Sequence, residues 1–415
     1  MKTLTRQLAM AAGAAALAAG LAGCGGGATD GATGAAPAPA AQPGTGGQEL
    51  FGPYDVVENW LQPLADTADG VKHAGWTFGS QAAVYAETPD RIWIAQRGEL
   101  PTPAGAKDWT PYAQVIPSPG SATAPRLPVM RYHHVIFVVD RNGKLVQSWP
   151  QHDALFNQPT APLSPRGPHK IKISPYDPEK HVWIIDDNLH QIFKFTYDGR
   201  LVMTLGQMGV EGRGPNTFAR PTDIAWLPDG TFFISDGYHG KRVAKFDKDG
   251  KFLMDWGSAP ADPQKPGPNE WNTVHSISIS KDRRLFVADR GHARFQVFDE
   301  NGKFLNAFPT NEPGWPTGMT SLPYYHLITD DQFLWVGDGG TQRILKYDLN
   351  GNFLYGWGQA GGQPGRFWGP HQMSVDQEGN LYVAEVQNGR IQKFTPRANA
   401  DPAKVVGQET RLAAR

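Results

Sequence analysis

FFISDGYHGKRVAKFDKDGKFLMDWG, Phe232 to Gly257, is the stretch whose reading decides the fold. Apolar residues alternate in short runs, and Asp249-Gly250 separates the last two. A period of two broken by turn residues reads as antiparallel strands. Asp-Gly is favoured hairpin chemistry, since both central positions tolerate positive φ. The phrase then recurs, which makes it a repeat. Upstream it is VWIIDDNLHQIFKFTYDGRLVMTLG (Val182 to Gly206). Downstream it is LFVADRGHARFQVFDENGKFLNAF (Leu285 to Phe308) and LWVGDGGTQRILKYDLNGNFLYGWG (Leu334 to Gly358).

Two irregular copies flank these. LYVAEVQNGRIQKF (Leu381 to Phe394) stops before its last strand. AAVYAETPDRIWIAQRG (Ala82 to Gly98) resumes as HHVIFVVDRNGKLVQSW (His133 to Trp149), after a Pro-rich insertion from about Glu99 to Arg131. Insertions of that length sit in face loops and often carry function. Each copy predicts four antiparallel strands, which is one propeller blade. The expected fold is an all-β, six-bladed propeller over residues 49–400, with a C-terminal tail over 401–415. The last blade lacks an outer strand. DVVENWL (Asp55 to Leu61) is expected to supply it, because an open ring would leave sheet edges exposed.

The N-terminus reads as an address. Lys2 and Arg6 precede an apolar run from Leu8 to Ala22, too short for a comfortable membrane span, so residues 1–23 read as a signal peptide. Leu21-Ala22-Gly23-Cys24 resembles the bacterial lipobox, which implies cleavage before Cys24 and acylation of its thiol. Cys24 is the only cysteine, so no intrachain disulfide is possible. Residues 24–48 are mostly Gly, Ala, Pro, Thr and Gln and read as a flexible tether. The expectation is an exported monomer, lipid-anchored to the cell envelope on the periplasmic or outer face of a membrane. A formal net charge of −1 gives no sign of nucleic-acid binding.

The chemistry sits at one phase of the repeat. Counting back a fixed interval from the acid that ends the second strand (Asp236, Asp289, Glu385) reaches Thr222, His275 and His371. Pro168-His169 matches Pro370-His371, and Pro316-Thr317 is read as the match to Pro221-Thr222. Blades two, four and six therefore carry His where the innermost strand begins, and blades three and five carry Thr. Innermost strands line the channel, so three imidazoles from alternate blades converge on the axis. Three protein ligands with an open position is the pattern of a catalytic zinc site, and other divalent transition metals also accept neutral imidazole. Arg97, Tyr238 and Arg290 follow second strands and open on the same face. A tyrosine there can serve as general base, and two guanidiniums can hold a carboxylate.

The repeats resemble NHL repeats, a family of six-bladed propellers. The site motifs are similar to those of the peptidyl-α-hydroxyglycine α-amidating lyases. Pro168-His169, Val274-His275-Ser276 and Pro370-His371 match that family's zinc ligands. RPTDIA…FFISDGY (Arg220 to Tyr238) matches the blade with its catalytic tyrosine, and IAQRG (Ile94 to Gly98) and ADR (Ala288 to Arg290) match its arginine segments. The resemblance implies zinc on His169, His275 and His371, with Tyr238, Arg97 and Arg290 catalytic. It implies cleavage of an N-substituted α-hydroxyglycine, peptide or small molecule, to an amide and glyoxylate. The family usually has an acid after the third histidine that helps bind calcium, but Gln372 stands here, which speaks against Ca2+. The family's disulfides and its copper hydroxylase domain have no counterpart in this sequence. Two other classes stay open: a non-catalytic NHL-type binding propeller, and a propeller hydrolase such as a lactonase, against which the His-only axial set argues, although Asp223 and Asn272 lie near the motif in sequence.

Overall fold

The computed structural model describes residues 48–66, 71–102, 131–158, 167–313 and 319–414. The expected signal peptide, Cys24, nearly all of the tether, most of the insertion and Thr317 lie outside them. Among the described residues no helix is long and apolar enough to cross a membrane. The second strands of blades two to six are buried along their whole length, with both faces packed between neighbouring blades, and exposure appears at outer strands such as Leu201–Leu205 and Phe304–Pro309.

Six four-stranded antiparallel blades make up the ring. Blade one is Gln81–Thr88, Arg91–Gln96, Ile136–Val139 and Leu145–Ser148. Blade two is Lys170–Ile173, Val182–Asp186, Gln191–Phe195 and Leu201–Leu205. Blade three is Pro221–Trp226, Phe232–Asp236, Arg242–Phe246 and Phe252–Trp256. Blade four is Val274–Ile279, Leu285–Asp289, Arg294–Phe298 and Phe304–Pro309. Blade five is Pro323–Ile328, Leu334–Asp338, Arg343–Tyr347 and Phe353–Trp357. Blade six is Pro370–Val375, Leu381–Glu385, Arg390–Pro396 and, from the N-terminal side, Tyr54–Val57. Tyr54 to Val57 pair antiparallel with Pro396 to Lys393, which closes the ring where the sequence suggested. The first strands of successive blades neighbour one another all the way round, so they line the axis.

Two features went unforeseen. Gln48–Glu49 adds a short parallel strand outside blade five. Trp76–Phe78 pairs with Glu99–Pro101, the start of the insertion, as a separate two-stranded sheet.

The hairpins also differ from the expected form. In the loops at Asp249-Gly250, Asn301-Gly302 and Asn350-Gly351 only the glycine has positive φ. The aspartate before each turn makes this possible. Asp247 Oδ1 accepts from the amides of Asp249 and Lys251 at 3.0 and 2.9 Å, and Asp299 does the same for Asn301 and Lys303. A carboxylate that binds the loop amides supports a wider turn with one left-handed residue rather than two.

In blades three to six the acid at the end of the second strand sets the phase of the site; blade two's Asp186 instead accepts from the amides of Asn188 and Leu189, and blade one's second strand ends in Gln96. Asp236 accepts from the Ala219 amide, Asp289 from Asn272, Asp338 from Leu322, and Glu385 from Trp368. Each therefore pins the loop that leads into its own innermost strand. That is why a fixed interval in sequence becomes a fixed height on the axis.

Candidate metal centre

His169, His275 and His371 lie at the start of innermost strands of blades two, four and six, and all three are buried. Their candidate ligand nitrogens lie within 4.8 Å of one another. Their orientation follows one rule. His169 Nδ1 meets Thr222 O at 2.8 Å, His275 Nδ1 meets Tyr324 O at 2.5 Å, and His371 Nδ1 meets Ala82 O at 2.8 Å. Each acceptor belongs to the next blade round the ring. A carbonyl only accepts, so each Nδ1 carries the proton and each Nε2 keeps its lone pair. Burial holds His169 and His371 well below the usual imidazole range, and their neighbouring cationic groups act in the same direction. Neutral imidazoles with converging Nε2 atoms fit a divalent transition metal.

The structure brings Tyr238 and Arg290 to this cluster. Tyr238 Oη stands 3.1 Å from Nε2 of both His169 and His275. Arg290 Nη1 points to the same oxygen at 3.4 Å, and its guanidinium lies 4.9 Å from the Tyr238 ring centroid. Arg97 is buried beside the first ligand: its Nε donates to Pro168 O at 3.0 Å. Tyr238, Arg290 and Tyr324 are half-buried, so the cluster opens to solvent on this side.

Arg220 was not anticipated. Its guanidinium lies 4.3 Å from the Tyr238 ring centroid, and its carbonyl accepts from the amides of Gly237 and Tyr238. It does so with φ of 67°, a strained value for arginine that marks a position fixed by its surroundings. No residue type in the sequence announces that conformation.

One slot is corrected. Blade five presents Tyr324, not Thr317, at the level of the histidines, since Pro323 pairs with Asp338 as Pro221 pairs with Asp236. The interval from Thr222 to Asp236 also separates Tyr324 from Asp338, so the signal was present; the nearby Pro-Thr pair masked it. Thr222 itself is placed as expected, with Oγ1 donating to Val274 O at 2.8 Å.

Deeper along the axis the donors are wrong for calcium. Gln372 Nε2 donates to Ile171 O at 2.8 Å, where the resemblance would place a carboxylate. Lys170 Nζ donates to His371 O at 2.8 Å, and Lys172 Nζ pairs with Asp223 at 2.8 Å. Asp223 already faces a lysine, and a hard cation would have to compete with these ammonium groups. Asn272 lies in the loop pinned by Asp289.

A model of the NHL repeat matches residues 367–394, within blade six. Peptidyl-alpha-hydroxyglycine alpha-amidating lyase 1 of Drosophila melanogaster is 30% identical over 256 residues, 57% of this chain and 46% of that protein. Peptidyl-glycine alpha-amidating monooxygenase B of Xenopus laevis is 29% identical over 247 residues, 55% of this chain and 26% of that protein. The chain thus spans less than half the length of either. NHL repeat-containing protein 3 of Mus musculus is 30% identical over 248 residues, 57% of this chain and 69% of that protein.

Proposed function

We propose that this chain, which belongs to the NHL-repeat proteins, is a metal-dependent carbon–nitrogen lyase. Its substrate would be an N-substituted α-hydroxyglycine, and its products an amide and glyoxylate. The observation that carries this reading is the common orientation of His169, His275 and His371, with Tyr238 Oη between two of their Nε2 atoms. These three histidines would hold zinc, which supplies Lewis acidity toward a bound hydroxyl.

The chain's own groups do the rest. Arg97 and Arg290 hold the substrate carboxylate, a role supported by their position beside His169 and Tyr238. Tyr238, as tyrosinate, takes the proton of the carbinol hydroxyl. The oxygen's electrons form the new C=O bond, and the C–N pair leaves with nitrogen. Nitrogen regains one proton, so the net change is transfer of a proton from oxygen to nitrogen, with no redox partner. The similarity to named amidating lyases supports this chemistry, although the match covers under half of the fly protein.

The test joins metal analysis with glyoxylate release from α-hydroxyhippurate. The wild type is expected to carry one metal and release glyoxylate. His275→Ala should lose both. Tyr238→Phe should keep the metal and lose about 10²–10⁴-fold in turnover. Full activity without metal would end the proposal. A second reading is a non-catalytic binding propeller built on the same NHL repeats, and the absence of stoichiometric metal would select it. Export and anchoring through acylated Cys24 are also proposed, motivated by the lipobox-like Leu21-Ala22-Gly23-Cys24. Mass spectrometry of the mature N-terminus tests them, and an unmodified Cys24 would exclude the anchor.

A further inference from the structure

Among the buried charges around the cluster, one serves two arginines at once. Asp187 follows directly after the second strand of blade two and is fully buried. Its Oδ2 accepts from Arg220 Nε at 3.1 Å and from Arg220 Nη2. Its Oδ1 faces Arg97 Nη2 at 3.7 Å. Arg97 comes from blade one and Arg220 from the loop that enters blade three. A single carboxylate on the blade between them therefore ties both guanidiniums together. Each arginine has a second anchor at the site: Arg97 on Pro168 O, next to His169, and Arg220 on the face of Tyr238.

We infer that Asp187 is a positioning residue, one that sets the carboxylate clamp through Arg97 and the Tyr238 ring through Arg220. This deepens the lyase reading and rests on it. The physical argument is one of orientation. Arginine has several soft torsions, and an unanchored guanidinium samples many of them. Tyr238 is half-buried, and the guanidiniums of Arg220 and Arg290 lie 4.3 and 4.9 Å from its ring centroid, so the hold on Arg220 bears on where the ring sits. Arg220 keeps that place only while Asp187 holds it. Misplacing a reacting group by about 1 Å can cost on the order of 10²-fold in rate.

Asp187→Asn keeps the shape and removes the charge. The expected result is a folded protein with its full metal content, with turnover of α-hydroxyhippurate lowered by about 10–10²-fold and KM raised several-fold. Asp187→Asn added to Arg220→Met should cost less further turnover than it costs the wild type, because the Arg220 branch is already gone, and should still raise KM through Arg97. A crystal structure of Asp187→Asn reads the placement without recourse to catalysis: Arg220 should leave the face of Tyr238. Wild-type kinetics, or both arginines still in place, would overturn the inference. So would a loss of activity that only tracks loss of metal or of thermal stability, because that is a structural role. If the wild type itself releases no glyoxylate, the lyase reading fails, and the crystal structure still decides the placement.

Discussion

At the scale of the residue, His326 shows how differently the axis uses its histidines. It lies on the innermost strand of blade five, is wholly buried, and takes no part in the ligand cluster. Its Nε2–H donates to Phe286 O at 3.0 Å, and its Nδ1 accepts from the Ser276 hydroxyl at 2.6 Å. Burial, with Lys172 and Lys170 adding to it, pushes its pKa down to about 3. In the unfolded chain the ring would titrate near the usual 6.5, so between these values the unfolded state binds the extra proton. The stability from neutral His326 is therefore full above about pH 6.5 and is lost as pH falls toward 3, by on the order of a few kcal/mol. His326→Gln keeps a donor and an acceptor but cannot titrate. Its unfolding free energy should fall less steeply than the wild type's between pH 6.5 and 4; parallel curves would refute the assignment. Spacing from the second-strand acid led to Thr222, His275 and His371, while His169, behind a longer loop, was reached through its Pro-His match to the last blade. Tyr324 was equally spaced but was passed over for a local Pro-Thr motif. Arg220 was hidden because its approach to Tyr238 depends on a backbone angle that its residue type does not favour.

At the scale of the element, the unit is a blade plus the turn of its neighbour. The outer strand of blade four carries Phe308 next to its end, and against its ring stands Gly351, in the last turn of blade five. Gly351 has φ of 91°, and a Cβ there would lie 2.3 Å from Phe308 Cγ. The same relation joins Trp256 of blade three to Gly302 of blade four. Glycine is thus required twice, by the turn and by the aromatic beneath it. Gly351→Ala should cost about 1–2 kcal/mol for the left-handed backbone alone, with the steric overlap added. Thermal unfolding should show a midpoint several degrees lower, while Gly407→Ala, whose Cβ would meet only ordinary contacts, serves as the near-neutral control. An equal, small effect for both would mean that blades four and five do not lock through this contact. The strands, their number and their order were legible because they depend on local alternation and on turn residues. The parallel strand Gln48–Glu49 and the sheet made by Trp76–Phe78 were not, because both rest on pairing with distant segments and show little pattern of their own.

At the scale of the whole molecule, the two chain ends do different work. The N-terminal strand Tyr54–Val57 completes blade six and removes an open edge. The C-terminal segment, expected as a plain tail, crosses the face opposite the histidines. Val406 donates its amide to Tyr54 Oη at 2.7 Å, Thr410 to Ile328 O at 2.8 Å, and Leu412 to Tyr176 Oη at 2.8 Å. Its path runs from blades five and six to the rim of blade two, and Leu412 joins the apolar cluster of blades three and four. Between these anchors Glu409 keeps contact with solvent, yet Lys172, Asp223, Tyr85 and Tyr325, from four different innermost strands, all act on it electrostatically. A group so placed stands at the lower mouth of the channel. Burial raises its carboxyl above the usual range, and Asp223 acts in the same direction while Lys172 opposes it. The segment thus caps a column of lysines and tyrosines that would otherwise meet water from below, while the ligand cluster sits at the other end. A chain ending at Ala400 should unfold at lower temperature and lose amide protection at Asp330, whose N–H donates to Gln408 O at 2.8 Å, yet retain the metal content of the full chain. Hydrogen exchange unchanged at Asp330 would show that the segment does not close the channel. Metal lost together with the segment would show that the two mouths are coupled, and that the histidines depend on the whole axial column rather than on their three carbonyl anchors.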